Sequence, residues 1–249
     1  MSGHSKWSTI KRKKGALDAK RSKIFSRVVK EIHVAIKEGG SSSPDMNPRL
    51  RLAIQNAKSV NMPKDNIERA INKASSDNSN LTEVTLEGYA SHGIAVIIEC
   101  LTDNNLRTVS SVRAIFNKKG GSLGVNGSVN YMFGRKGVFT IQSTKMEREE
   151  LELELIDAGL EEIEAEGSGY IITTAMEEFG TMQKKLDELG IEISNAVLER
   201  IPETTKVLDL DAARKVLAMI DDFEDLDDVQ NVYHNLEMTD ELACLLNGQ

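Results

Sequence analysis

A chain of 249 residues that is 40% hydrophobic has room for two or three domains with real cores, while 4% aromatic content leaves few platforms on which unpaired bases stack. No apolar run approaches the ~18–20 residues of a membrane span, and the charged N-terminus has no apolar stretch behind it, so neither a membrane protein nor a secreted one is expected. The net charge of −8 hides an asymmetry: residues 1–75 carry 17 Lys+Arg against 6 Asp+Glu, a balance of +11, which leaves 14 against 33, or −19, for residues 76–249. A basic end on an acidic body predicts contact with a polyanion through that end. Cys100 and Cys244 stand in no metal or redox spacing; Cys100 lies in an apolar run and reads as a small buried hydrophobe, which fits a reducing cytoplasm.

The chain opens with Gly3-His4-Ser5-Lys6-Trp7 and Lys11-Arg12-Lys13-Lys14, the composition of an extended arm that orders on a phosphate backbone as counterions are released. Residues 16–37 then show helical periodicity. On an ideal helix Ile24, Phe25, Val28, Ile32, Ala35 and Ile36 fall within roughly 120° of arc, and Lys20, Lys23, Arg27, Lys30 and Lys37 within about 100° on the other side. One face packs on protein and the other meets negative charge. Lys6, Trp7, Lys11, Arg12, Lys13, Lys14, Lys20, Arg21, Lys23, Arg27 and Lys30 are therefore the candidate nucleic-acid-binding residues. Trp7 either stacks on a base, worth roughly 1–3 kcal/mol, or docks on the protein's own surface. Short polar side chains that read base edges are sparse on the helix, which points to backbone and shape recognition.

Glycine and serine at 39–43 with Pro44 stop this helix. Asn47-Pro48 opens a second helix reaching about residue 60, with Leu50, Ala53, Ile54 and Ala57 as its buried stripe, and Met62-Pro63 opens a third carrying Ile67, Ala70, Ile71 and Ala74. A polar run at 75–80 ends the helical domain near residue 78. Beyond it, alternation predicts a strand at 82–89, an apolar strand at 94–101, and a helix capped by Thr102-Asp103-Asn104 that runs to about 118. Gly120-Gly121 closes that helix and a strand follows around 129–133. A unit of its own starts near 137: strand 138–142, helix 145–158, strands 161–166 and 170–174, helix 175–189 and strand 192–200. That is the β-α-β-β-α-β order of a ferredoxin-like domain. A last helix from 209 to about 223 and a strand at 229–234 are too small to stand alone, so they complete the sheet begun at 82. The expected fold is α+β and multidomain: a basic three-helix domain at 1–78, an α/β middle domain at 79–135 and 206–249, and an inserted ferredoxin-like domain at 136–205.

Asn104, Arg107, Thr108 and Lys118 form a possible second nucleic-acid contact, the alternative being an ordinary helix cap beside a solvated arginine. The Gly-rich run 120–127 lacks the Gly-Lys-Ser/Thr ending of a phosphate-binding loop and reads as a flexible turn. The ferredoxin-like strands lack the clustered aromatics of RNA-recognition domains. His4, His33, His92 and His234 show no metal spacing, no nucleophile or acid–base signature accompanies the carboxylates, and neither an enzyme nor a metal or cofactor is expected.

Five stretches together resemble a known family: Gly3-His4-Ser5-Lys6-Trp7; Lys14-Gly15-Ala16-Leu17-Asp18-Ala19-Lys20-Arg21; Asn61-Met62-Pro63-Lys64-Asp65-Asn66-Ile67-Glu68-Arg69-Ala70-Ile71; Leu101-Thr102-Asp103-Asn104-Asn105-Leu106-Arg107-Thr108; and Gly120-Gly121-Ser122-Leu123-Gly124. They are similar to the YebC/PmpR family, which is related to the mitochondrial translational activator of cytochrome c oxidase subunit I. The likeness covers essentially the whole chain and departs at Tyr89-Ala90-Ser91-His92-Gly93, where the family usually has a glycine- and proline-rich loop. It implies three domains and a non-enzymatic regulator of gene expression. Members are labelled as DNA-binding transcriptional regulators, and others are understood as translation factors acting on ribosomes stalled at proline-rich stretches. The expectation is a cytoplasmic, monomeric protein that contacts ribosomal RNA through its basic N-terminal domain, with a DNA-binding transcriptional regulator as the rival.

Overall fold

The computed structural model describes residues 18–76, 81–142, 144 and 146–247, without the side chains of 18–21 and 245–247. In chain order its helices and strands begin with α1 (Asp18–Gly39), α2 (Pro48–Ser59), α3 (Lys64–Ser76), β1 (Thr82–Tyr89), β2 (Ala95–Thr102), α4 (Asn105–Lys119), β3 (Ser122–Leu123) and β4 (Phe133–Ile141). They continue with α5 (Arg148–Ile156), β5 (Leu160–Glu166), β6 (Gly169–Ala175), α6 (Phe179–Glu188), β7 (Ile193–Pro202), α7 (Leu210–Glu224), β8 (Val229–His234) and α8 (Asp240–Asn247). The described residues divide into two compact units: those up to Lys30 with Ser76–Gly134 and Pro202 onward, and Glu31–Ser75 with Arg135–Ile201. The boundary falls inside α1, whereas the end of the helical segment is expected after α3.

The first unit is built on a sheet of order β3-β1-β2-β8. β1 and β2 form an antiparallel hairpin in register from Thr82↔Thr102 to Tyr89↔Ala95, and β8 lies antiparallel to β2. The hairpin turns at Ser91–Gly93 with His92 at φ 61° and Gly93 at φ 71°, the left-handed region where glycine is at ease. One face of the sheet carries Val96, Ile98 and Cys100 against Val112 and Phe116 of α4 and Val216, Ile220 and Phe223 of α7. The Phe116 and Phe223 rings meet at 4.7 Å. Burial in this core pushes the Cys100 thiol up to about 12, so it behaves as the hydrophobe expected of it. Local chemistry fixes the helix ends. Asn104 accepts from Arg107 N–H at the start of α4, Gly120 closes it at φ 75°, and Asp209 accepts from Ala212 N–H at the start of α7.

The second unit holds the other sheet, order β5-β6-β4-β7, with β6 antiparallel to both β4 and β5. Counted in its own chain order this is strand arrangement 2-3-1-4, the ferredoxin-like topology with α5 and α6 as its helices. Its core joins Phe139 and Ile141 of β4 to Leu151, Leu155, Ile172, Met182 and Leu186. Helix α2 belongs to the same unit, with Leu52 packed on that core. The buried Asn56 amide donates to Ala196 O at 3.1 Å and accepts from Ala196 N–H at 3.4 Å, so it satisfies backbone groups of the β7 edge.

Two local expectations change. The strands expected at 129–133 and 138–142 are instead a 3-10 turn, Asn130–Met132, followed by the single strand β4. Val129 and Phe133 look like strand residues because they are apolar at even spacing. They are buried against Ala95, Ile97 and Tyr233 on the second face of the first sheet. Helix α8 was not foreseen, although Thr239 accepts from Leu242 N–H and two acids, Asp240 and Glu241, fill its first turn.

Candidate nucleic-acid interface

Lys23, Arg27 and Lys30 stand at i, i+4 and i+7 on α1, so one helix face presents all three. Within the first unit that face meets the protein's own chain, at the turn between α7 and β8. Lys23 Nζ lies 2.6 Å from Asp225 Oδ1 and 3.2 Å from the Asp225 carbonyl. Arg27 Nη2 donates to the Glu224 carbonyl at 2.7 Å. Lys30 Nζ reaches the carbonyls of Asp227 (2.8 Å) and Leu101 (3.1 Å) and Asp228 Oδ1 (3.3 Å). The last carbonyls of a helix have no partner within it and carry the negative end of its dipole. Lys23 and Arg27 therefore cap α7, with acidic side chains beside them, while Lys30 binds the turn beyond the helix and the end of β2. Burial draws the Arg27 guanidinium below its usual pKa, opposed by the charges of Glu224 and Asp225.

Asp228 joins this contact to the second expected patch. Its Oδ2 accepts from Arg107 Nη2 at 2.9 Å and from the Thr108 hydroxyl at 2.9 Å, with the Thr102 hydroxyl at 3.3 Å. Burial works to raise the Asp228 carboxyl, but the hydrogen bonds from Arg107 and Thr108 and the charge of Lys30 outweigh it, holding it below the usual carboxylate range. Asn104 is the α4 cap, Arg107 also bonds Asp103 at 2.8 Å, and Thr108 is buried. Lys118 is exposed on α4.

Of the candidate residues, Lys6, Trp7, Lys11, Arg12, Lys13 and Lys14 lie outside the described residues, and Lys20 and Arg21 are described in backbone only. Lys23, Arg27 and Lys30 are brought together, facing acidic chain. The residues missed are Glu224, Asp225 and Asp228. Their signal was in plain view: residues 221–228 hold six acids in eight positions, Asp-Asp-Phe-Glu-Asp-Leu-Asp-Asp.

The Gly-rich run is not a loose turn. The carboxylate of buried Glu87 accepts N–H groups from Gly127 (2.7 Å), Val129 (2.8 Å) and Asn130 (2.8 Å). Converging backbone N–H groups are how a loop holds a phosphate. Here the anion is the protein's own, and it fills the place a phosphate would take. The glycines permit close approach: a Cβ on Gly121 would stand 2.6 Å from the Tyr89 carbonyl, and one on Gly124 2.4 Å from Ser128 Oγ.

Among the described residues no helix is long and apolar enough to cross a membrane. The model of the TACO1/YebC protein N-terminal domain matches residues 5–77, and that of the TACO1/YebC second and third domain matches residues 81–236. A protein of Amoebophilus asiaticus called "Probable transcriptional regulatory protein" is 52% identical over 240 residues, covering 95% of this chain and 98% of that one. A protein of the same name from Rubrobacter xylanophilus is 46% identical over 251 residues, covering 100% of both. The crystal structure of a conserved hypothetical protein from Aquifex aeolicus superposes with a TM-score of 0.77 at 41% identity, covering 88% of this chain and 91% of that one.

Proposed function

The chain belongs to the TACO1/YebC family, and from that premise we propose that it is a non-enzymatic regulator of gene expression that binds ribosomal RNA through its basic N-terminal segment. The charge distribution carries this reading. With Lys23, Arg27 and Lys30 matched by the turn at 224–228, residues 1–21 still hold seven Lys+Arg against one Asp. Lys6, Lys11, Arg12, Lys13, Lys14, Lys20 and Arg21 are the phosphate contacts in this reading, and Trp7 stacks on an unpaired base. A second contact reduces to Lys118, because Asn104, Arg107 and Thr108 are engaged in the α4 cap and with Asp228. The arm has the makeup of a backbone reader, with few side chains suited to base edges, and structured RNA in the cytoplasm suits that better than a specific operator. Acting as a monomer on the ribosome follows from the same reading.

The relatives' names favour a second reading, a transcriptional regulator binding DNA through the same arm. Such proteins normally pair two copies on a two-fold site. A salt titration of binding to a structured ribosomal RNA fragment tests the arm directly. Changing Lys11, Arg12, Lys13 and Lys14 together to Ala should weaken binding and lower the log–log salt slope by about one unit per lost phosphate contact. An unchanged affinity and slope would refute the arm as the contact. The arm variant leaves the capping of α7 intact, which a variant at Lys23, Arg27 and Lys30 would not.

A further inference from the structure

Resting on that nucleic-acid reading, we propose that the acidic turn at 224–228 is an intramolecular latch: it occupies Lys23 and Arg27 in the free protein and yields them to the phosphate backbone when the arm binds. The contact is graded along α1. At its outer end, the Lys23 and Asp225 side chains are 39% and 74% exposed, so water and salt screen the pair. In the middle, Arg27 is partly buried and donates to the Glu224 carbonyl, with the charges of Glu224 and Asp225 nearby. At the inner end, Lys30 and Asp228 are only 22% and 17% exposed, and Lys30 also bonds the Leu101 carbonyl at the end of β2. The inner end is part of the fold, and the outer end is exchangeable.

The outer end is also the one nearest the arm. Lys20 precedes Lys23 by about 4.5 Å along a helix axis, so a phosphate strand tracked by Lys20 and Arg21 reaches Lys23 next and Arg27 one turn later. Asp225, beside the carbonyls that end α7, presents these cations with the same combination a phosphate backbone offers: full negative charge next to neutral acceptor oxygens. A polyanion adds counterion release, which a single aspartate does not. The latch gives way only to a ligand with several phosphates in a row, and it discourages capture of isolated anions.

The test is a binding titration of the full chain against a structured ribosomal RNA fragment at low and near-physiological salt. It compares wild type, Asp225→Asn, Lys23→Met, the double variant, and Asp211→Asn as a charge-matched control on the exposed first turn of α7. Asp225→Asn should bind up to about fivefold tighter than Asp211→Asn at low salt, with the gap closing as salt screens the pair. In the Lys23→Met background the advantage of Asp225→Asn should shrink to that of Asp211→Asn, because the inhibition runs through Lys23. Equal affinities for Asp225→Asn and Asp211→Asn, or a gain that persists in full without Lys23, would overturn the latch and leave the nucleic-acid reading standing. Absence of RNA binding by every protein, wild type included, would overturn that reading and the latch with it.

Discussion

Replacing Asp228 by Asn keeps the side chain's shape and removes the charge on which Arg107, Thr108 and Lys30 converge. Hydrogen bonds to a charged group contribute roughly 1.5–3 kcal/mol each in protected settings. Arg107 is 52% exposed, so its share is discounted for solvent screening, while Thr108 is buried and keeps its share in full. The expected loss at neutral pH is about 2 kcal/mol, or roughly 4–8 °C in the melting temperature of a unit this size. The pH dependence sharpens the test. The folded-state carboxyl titrates below its unfolded value of about 3.9, so its contribution is present above that pH and disappears as pH falls through the folded value. The gap between wild type and Asp228→Asn should therefore be full at pH 7 and narrow progressively below about pH 4. Calorimetry across pH 3–7 measures it. A gap that stays constant over that range, or a variant as stable as wild type at pH 7, would refute the role given to this carboxylate.

Two further predictions concern other acids. Glu87→Ala leaves three backbone N–H groups without their acceptor, at a cost of roughly 1–3 kcal/mol, and amide exchange should accelerate at Gly127, Val129 and Asn130 ahead of the rest of the unit. Protection unchanged at those three amides would remove Glu87 as the clamp. Glu31 has the opposite sign to Asp228: burial raises its carboxyl, against a hydrogen bond with Asn56 and the charge of Arg49. A raised folded value means its favourable contribution is complete below the unfolded pKa and lost as pH rises through the folded one. Glu31→Gln should accordingly be neutral or stabilising at pH 7, with the difference fading by about pH 4; a marked destabilisation at pH 7 would contradict it.

The parts of the fold that the sequence made legible are those where local chemistry and burial agree. β1 alternates and ends at a turn, β8 is a short β-branched and aromatic run, and α7 begins at an aspartate placed before an amphipathic stripe. The Val129 and Phe133 spacing misled because an apolar pair seated on a sheet face has the same local pattern as a strand. The basic stripe of α1 was equally plain, and its counter-charge was not. Lys23 and Asp225 are 202 positions apart, and periodicity reports which face of a helix is charged but not what that face meets. The acidic run at 221–228 was the available clue, since six acids at the end of a helix need cations nearby. The Gly-rich run gave an ambiguous signal for a related reason. Glycines that permit close packing and glycines that permit motion are the same letters, and only the Glu87 carboxylate distinguishes them.

Co-sedimentation with purified ribosomes tests binding through the arm, using wild type and the protein with Lys11, Arg12, Lys13 and Lys14 changed to Ala. A parallel titration with duplex DNA at the same near-physiological salt completes the comparison. Wild type should pellet with ribosomes, the arm variant should stay in the supernatant, and duplex DNA should bind only weakly. Tight, sequence-dependent DNA binding with no ribosome pelleting, or pelleting that ignores the arm, would contradict ribosome binding through the arm.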